Sequence, residues 1–278
     1  MGLLDLRHCQ AFRNFIQDTF KIDDPVTAAF VPFHFRPIQN RYYDELVNSY
    51  GSEFWLADVD EIIVKARKEG FTSLILGIFA AVMHLYKEAK RFLEISYKED
   101  ASKQHYRRIQ GFLLSPIVSD PLLWDDRLKK RVFESWTEGC EVVVRNNKSS
   151  YYVGSATSRT GERGGTGQGI LFTEAAHYPD TGILSASEII EGTRQQVAVG
   201  SGMKFIETTG HGFNHIKRRW DQAVDKQISA KPRFFSWREF YSQAEFAKIC
   251  NGISDKDLIP QEYPDTINEA FLTSGRPV

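Results

Sequence analysis

Excess positive charge is the first thing this chain lacks. Its 35 Lys and Arg face 36 Asp and Glu, for a formal net charge of -1. No global basic field marks a nucleic-acid binder, so DNA contact would have to come from local patches or an assembled ring. Cysteine is scarce as well. The three residues Cys9, Cys140 and Cys250 are odd in number and far apart, which excludes a disulfide framework and fits a reducing compartment. No apolar run reaches the roughly 20 residues a membrane span needs. The N-terminus mixes Asp5, Arg7 and His8 into its apolar residues, unlike a signal peptide. Internal repeats and low-complexity tracts are absent. What remains is 278 residues, 42% hydrophobic and 13% aromatic, an ordinary soluble composition with length for one large α/β domain or one domain with attachments.

Strand and helix patterns alternate along it. Residues 3–20 have helical spacing, and Asp23-Asp24-Pro25 breaks the pattern. Pro37 suits a first helical turn, which places Gln39 near a helix start. Glu61-Ile62-Ile63-Val64-Lys65-Ala66 reads as a buried strand, and residues 74–86 as a buried helix. Between them lies Arg67-Lys68-Glu69-Gly70-Phe71-Thr72-Ser73. A strand, a short glycine loop and a helix opened by hydroxyls have the architecture of a phosphate-binding loop. The pattern G-x-x-x-x-G-K-[ST] fails twice here: Lys65 stands at the first Gly and Phe71 at the Lys, while Gly70 and Thr72 match. The physical needs are still met. Lys65 and Arg67 supply positive charge, Thr72 a hydroxyl suited to Mg²⁺, and the helix start backbone N–H groups. The bland alternative is a turn with solvated charges.

Residues 91–97 read as a second buried strand, followed by a helix to about Leu114, and this alternation predicts a mostly parallel sheet. Residues 141–154 read as a β-hairpin, and residues 185–197 and 213–230 as helices. Residues 155–169 form a Gly-, Ser-, Thr- and Arg-rich loop; its spacing excludes a dinucleotide fingerprint, and a strand follows it. That strand, Gly169-Ile170-Leu171-Phe172-Thr173, ends in Glu174. A buried parallel strand emerges at a sheet edge, where open α/β sheets place their chemistry. Arg159 and Arg163 sit near the same edge. Residues 204–209 form a further strand ending in Thr208 and Thr209. His211 and His215 are four apart but lack the acidic residue of a zinc-protease helix, so a metal site is not expected there.

These segments together resemble the ATPase domain of the large terminase subunit of tailed bacteriophages, the motor of viral genome packaging. Lys65 to Ser73 resembles that family's deviant phosphate loop, with its Lys moved to the start. Pro37-Ile38-Gln39 resembles its adenine-reading motif, and Ile170 to Ala176 its acidic motif with the catalytic Glu. Glu207-Thr208-Thr209-Gly210 resembles its coupling motif, and residues 261–275 its closing segment. The resemblance runs from about Val31 to Gly275. Two departures stand out. Thr173 occupies the place of an Asp that holds the Mg²⁺ shell, and Phe71 replaces the usual Lys.

The resemblance implies a P-loop NTPase of the ASCE type: a three-layer α/β sandwich with a mostly parallel sheet and a small helical C-terminal lid. The expected parts are an N-terminal helical segment at 1–30, an ATPase core at 31–230 and a lid or linker at 231–278. Implied ligands are ATP and Mg²⁺. Implied roles are Gln39, Lys65, Arg67, Gly70, Thr72 and Ser73 for ATP, Thr72 and Thr173 for the metal, Glu174 for catalysis, and Thr208 and Thr209 for coupling. Arg163, with Arg159 second, is the expected arginine supplied to a neighbouring subunit. Implied partners are double-stranded DNA, a portal protein and a small terminase subunit, with a pentameric homo-oligomeric ring on the portal and a monomer in isolation. The implied place is the host cytoplasm and, transiently, the procapsid portal, with no membrane. Lys148, Lys129-Lys130-Arg131 and Lys217-Arg218-Arg219 are DNA-contact candidates. The family continues into an RNase H-like nuclease where this chain ends, so no nuclease activity is expected of these residues. Two rivals share some of these features: a helicase-like remodelling ATPase and a catalytically degenerate nucleotide-binding subunit.

Overall fold

The computed structural model describes residues 9–24, 27, 29–157, 166–179 and 185–272. Its centre is an eight-stranded sheet. In chain order its strands are β3 (Asp58–Lys65), β4 (Arg91–Ser96), β5 (Phe133–Thr137), β6 (Glu141–Val144), β7 (Ser150–Ser155), β8 (Gly169–Thr173), β9 (Gly202–Thr208) and β10 (Lys231–Phe235). Their spatial order is β10-β3-β9-β8-β4-β7-β6-β5. The run from β10 to β7 is parallel, and β6 and β5 extend it antiparallel. A separate ladder pairs β1 (Lys21–Asp23) with β2 (Phe30–Pro32).

Strand sequences explain the layering. Successive side chains point to opposite faces, so a strand buried on both faces reads as an unbroken apolar run. Ile63, Phe92, Leu171 and Phe205 pack on one face, with α1 (Cys9–Thr19), α2 (Pro37–Tyr50), α3 (Phe71–Leu85) and α4 (Glu99–Leu114). Their neighbours Ile62, Leu93, Ile170 and Ile206 pack on the other, with α6 (Ala186–Arg194) and α7 (His215–Val224). The result is the expected three-layer α/β sandwich, mostly parallel at its centre. A short α5 (Asp126–Val132) leads into β5, and α8 (Gln243–Gly252) packs through Phe246 against Trp237 beside the sheet edge. No helix among the described residues is long and apolar enough to cross a membrane.

Segments at both ends of the described chain pack into the core. The N-terminal helix is part of the main core, with Phe12 and Ile16 fully buried and Phe12 stacked on Trp55. The sheet also runs past residue 230, because β10 pairs with β3. Pro and charged residues disguise β10 as a loop, but an edge strand tolerates proline. Its charge is matched: Arg233 donates to both oxygens of the buried Glu61 at 2.8 and 3.2 Å.

Candidate nucleotide site

Strands β3, β9 and β8 lie side by side, and their C-terminal ends deliver the site. Ile63 is level with Glu207, Val64 with Thr208, and Glu207 with Thr173. Lys65 at the end of β3 reaches across to two acids. Its Nζ lies 3.2 Å from Glu174 Oε1 and 3.0 Å from Glu207 Oε1. Thr72, in the first turn of α3, donates its hydroxyl to Glu207 at 3.0 and 3.1 Å. Thr209 donates its backbone N–H and its hydroxyl to Glu174 Oε2 at 3.1 and 3.2 Å. Two cavities of about 460 and 470 Å³ open over this edge, and both are lined by Lys68, Thr72 and Glu174. Val31, Phe33, Gln39 and Ser73 line the first; Tyr97, Thr173 and His177 line the second.

The loop between β3 and α3 is shaped by its backbone. Gly70 has φ +85°, and a Cβ there would lie 2.7 Å from Gln39 Nε2. Glycine satisfies both the left-handed conformation and the close approach. Phe71, which stands where a phosphate loop places its Lys, is fully buried with its ring 4.5 Å from that of Phe235. The position has become core. Glu174 itself has φ +51°, a conformation that costs a non-glycine residue about 1–3 kcal/mol and clusters at functional sites.

One cation serving two buried acids separates their acidities. Burial would raise Glu174, but Lys65, the Thr209 N–H and His177 outweigh it and hold its pKa at about 2. For Glu207 burial prevails over Lys65, and its pKa is raised. Lys65 is raised: burial opposes its charge, and Glu174 and Glu207 more than compensate. His177 hydrogen-bonds with the Thr209 hydroxyl at 3.0 Å, and burial lowers it to about 4, so it is neutral at pH 7.

The other expected residues are placed as follows. Gln39 is buried with both ends of its amide engaged: Oε1 accepts from Arg36 N at 2.8 Å, and Nε2 donates to Gly70 O at 2.7 Å. In this arrangement it braces the loop between β3 and α3. Arg67 lines the second cavity, but its guanidinium pairs with Glu262 at 2.6 Å. The Thr173 hydroxyl faces Glu94 Oε1 at 3.4 Å. The Thr208 hydroxyl accepts from Ala176 N at 3.1 Å and donates to Thr209 O, tying the segment after β8 to the end of β9. Gly210 continues that segment beneath Ala270, whose carbonyl oxygen would lie 1.8 Å from an added Cβ. Arg159 and Arg163 lie outside the described residues. Among the DNA-contact candidates, Lys148, Lys217 and Arg219 pair with Glu134, Asp221 and Glu191. Lys130, Arg131 and Arg218 are exposed, with no ion pair among the described residues.

Three charged groups escaped the sequence reading. Glu207 was visible only as the first residue of the segment resembling the coupling motif, with no role of its own. Arg108 of α4 lines the first cavity without a hydrogen bond or ion pair among the described residues, and burial lowers its pKa despite Glu94 and Asp23 nearby. Glu69, in form a solvated loop charge, is completely buried, and neither carboxylate oxygen has a hydrogen-bond partner. Burial raises Glu69 to about 9 against the opposing pull of Lys65 and Arg41. The folded chain therefore keeps a proton that the unfolded chain releases near 4.5. Stability should fall as pH rises across that window, by up to about 5 kcal/mol at pH 8. Thermal melts of wild type and Glu69→Gln from pH 5 to 9 test this. The variant should flatten the slope and melt higher at pH 8; parallel curves would refute the buried acid.

No protein-family model and no curated protein matches the chain. Solved structures do. The large terminase of bacteriophage HK97 aligns over 92% of this chain and 54% of its own, with a TM-score of 0.66 and 14% identity. The ATPase domain of the Thermus phage P74-26 large terminase aligns over 73% of this chain and 87% of its own, with a TM-score of 0.50 and 14% identity. The large terminase of a thermophilic bacteriophage, in complex with ATP-gamma-S, aligns over 75% of this chain and 47% of its own, with a TM-score of 0.50 and 11% identity. This chain thus has the fold of phage large terminase ATPase domains and spans about half the length of the HK97 protein.

Proposed function

We infer that this chain is the ATP-hydrolysing half of a DNA-packaging motor, a terminase large-subunit ATPase that drives double-stranded DNA into a procapsid. The observation that carries the reading is the convergence of Lys65, Thr72, Glu174 and Thr209 on one cleft edge. The solved likenesses named for terminase, one of them bound to an ATP analogue, support it.

Phosphoryl transfer to water needs positioning and charge stabilisation more than covalent chemistry. Lys65 would leave its two carboxylates for the phosphate oxygens, which the N–H groups at the start of α3 also face. Glu174, ionised at neutral pH and oriented by Thr209, would align and polarise the attacking water. The oxygen donors at the cleft edge fit a hard divalent cation. Mg²⁺ held there would neutralise charge on the phosphates, with Thr72 among the residues holding it. Among the described residues no group of three or more His, Cys, Asp or Glu is placed to hold a metal ion. Because Thr209 touches both Glu174 and His177, a change at the γ-phosphate would pass directly into the coupling segment. Arg163, with Arg159 second, is our choice for an arginine reaching the neighbouring subunit of a ring, a contribution of roughly 10³–10⁵ in rate.

Phosphate release measured against chain concentration, with and without double-stranded DNA, tests the whole reading. Slow turnover should rise per chain as rings assemble, Arg163→Ala should abolish the rise, and DNA affinity should fall steeply with salt. Background release at every concentration would instead support a degenerate nucleotide-binding subunit. Unwinding of a forked duplex would support a helicase-like ATPase.

A further inference from the structure

The acidic strand β8 ends in Thr173-Glu174, so it brings one carboxylate to the cleft where a metal-nucleotide site of this fold calls for two. One acid must align water and another must help hold the divalent ion. The sheet register shows where a second acid lies. Glu207 is the residue of β9 directly level with Thr173. Cross-strand partners stand on the same face with their Cβ atoms about 5 Å apart. Glu207 therefore presents its carboxylate from the position next door to the one where β8 has only a hydroxyl.

Its contacts agree with that placement. Both carboxylate oxygens of Glu207 accept from the Thr72 hydroxyl, at 3.1 and 3.0 Å. Thr72 is the helix-start hydroxyl of the phosphate loop, the group suited to a nucleotide-borne Mg²⁺. Glu207 Oε1 also lies 3.0 Å from Lys65 Nζ, so the cation that neutralises it is the one the phosphates would draw away. The other buried acid near Thr173 is already engaged: Glu94 accepts from the Tyr151 hydroxyl and contacts the His105 ring. The Thr72 hydroxyl is directed to Glu207 instead. Glu207 also lines the first cavity together with Lys65, Thr72 and Glu174.

We propose that Glu207 is the metal-holding carboxylate of this site, transferred from the acidic strand β8 to the neighbouring coupling strand β9, where it acts together with the Thr72 hydroxyl. The proposal rests on the reading of the cleft as a Mg²⁺-nucleotide site. Its consequence is that metal and coupling motif share one strand: Glu207 is followed directly by Thr208 and Thr209. Thr209, the first residue past the end of that strand, is also the one that holds Glu174 in place.

Equilibrium binding of a fluorescent, non-hydrolysable ATP analogue, titrated with and without Mg²⁺, reads the role without requiring turnover. Mn²⁺ binding followed by electron paramagnetic resonance in the presence of the analogue gives a second readout. In wild type the divalent ion should tighten analogue binding. Glu207→Gln should retain binding without metal but weaken the metal's affinity roughly 10–100-fold. Thr173→Asp in the Glu207→Gln background should restore it, because it returns an acid to the level position on β8. The restored double variant also separates metal loss from misfolding, as do melting curves of each protein. If Glu207→Gln keeps the full Mg²⁺ effect, or if Thr173→Asp restores nothing in a folded double variant, the proposal is overturned while the nucleotide site stands. If wild type binds no analogue with or without metal, the nucleotide reading falls and this proposal with it.

Discussion

Replacing Glu174 by glutamine is expected to lower ATP hydrolysis by roughly 10²–10⁴-fold, the usual contribution of a positioned base, and to leave nucleotide affinity nearly unchanged. The amide oxygen of glutamine can still accept the two hydrogen bonds from Thr209, so the coupling segment keeps its anchor. What is lost is the negative charge. That charge is present across the working range, because Lys65 and the Thr209 N–H hold Glu174 at about 2 in spite of its burial. The sign of the pH effect follows. A depressed acid is fully ionised above its ordinary value of 4.5 and loses its function only as pH falls through about 2. Wild-type kcat/KM should therefore show no acid limb from Glu174 between pH 5 and 8, and neutral His177 adds none above about 4. Single-turnover phosphate release and analogue binding on the same samples separate chemistry from affinity. A variant that hydrolyses at the wild-type rate would remove Glu174 from catalysis. A variant that no longer binds nucleotide would make it a binding residue.

What the sequence made legible was whatever sits at the end of an apolar run. Val64-Lys65 and Phe172-Thr173-Glu174 announce themselves because each follows a run of apolar residues buried in a strand, Ile62-Ile63-Val64 and Ile170-Leu171-Phe172. The alternation of strands and helices gave the parallel sheet for the same reason. Strand β10 was hidden because its Lys231, Pro232 and Arg233 suit a loop, and only pairing with Glu61 makes the cations acceptable in a sheet. Glu207 was hidden differently. Its strand was recognisable, but its relation to Thr173 is a matter of register between strands more than 30 residues apart in sequence, and no local pattern encodes register. For Gln39, expected as an adenine-reading residue, the sequence could not say that both ends of its amide would be engaged by Arg36 and Gly70. Glu69 has the look of any charge beside a glycine; burial without a partner is visible only once Lys65, Arg41 and Glu207 surround it.

Removing Lys65 should damage the protein twice. Its side chain is 5% exposed and is the cation shared by Glu174 and Glu207. A buried ion pair contributes little net stability when whole, but deleting one partner strands the other, typically at a cost of about 3–5 kcal/mol. Lys65→Ala leaves two acids without their counter-ion, so a lowered Tm near neutral pH is expected along with loss of nucleotide binding. The pH dependence distinguishes this from loss of packing. With Lys65 gone, both carboxylates favour their protonated forms, and lowering the pH relieves the charge they carry. The Tm deficit relative to wild type should therefore be largest near pH 8 and shrink toward pH 5, whereas a simple cavity would cost the same at every pH. Adding Glu207→Gln to Lys65→Ala should recover part of the loss, since contacting charges usually couple by about 0.5–3 kcal/mol. Purely additive melts, with a deficit independent of pH, would show that Lys65 stabilises this edge by filling space. Either outcome leaves the nucleotide titration as the measure of its second role: a folded Lys65→Ala or Lys65→Met chain that still binds the ATP analogue at wild-type strength would move the phosphate-binding charge from Lys65 to another cation of the cleft.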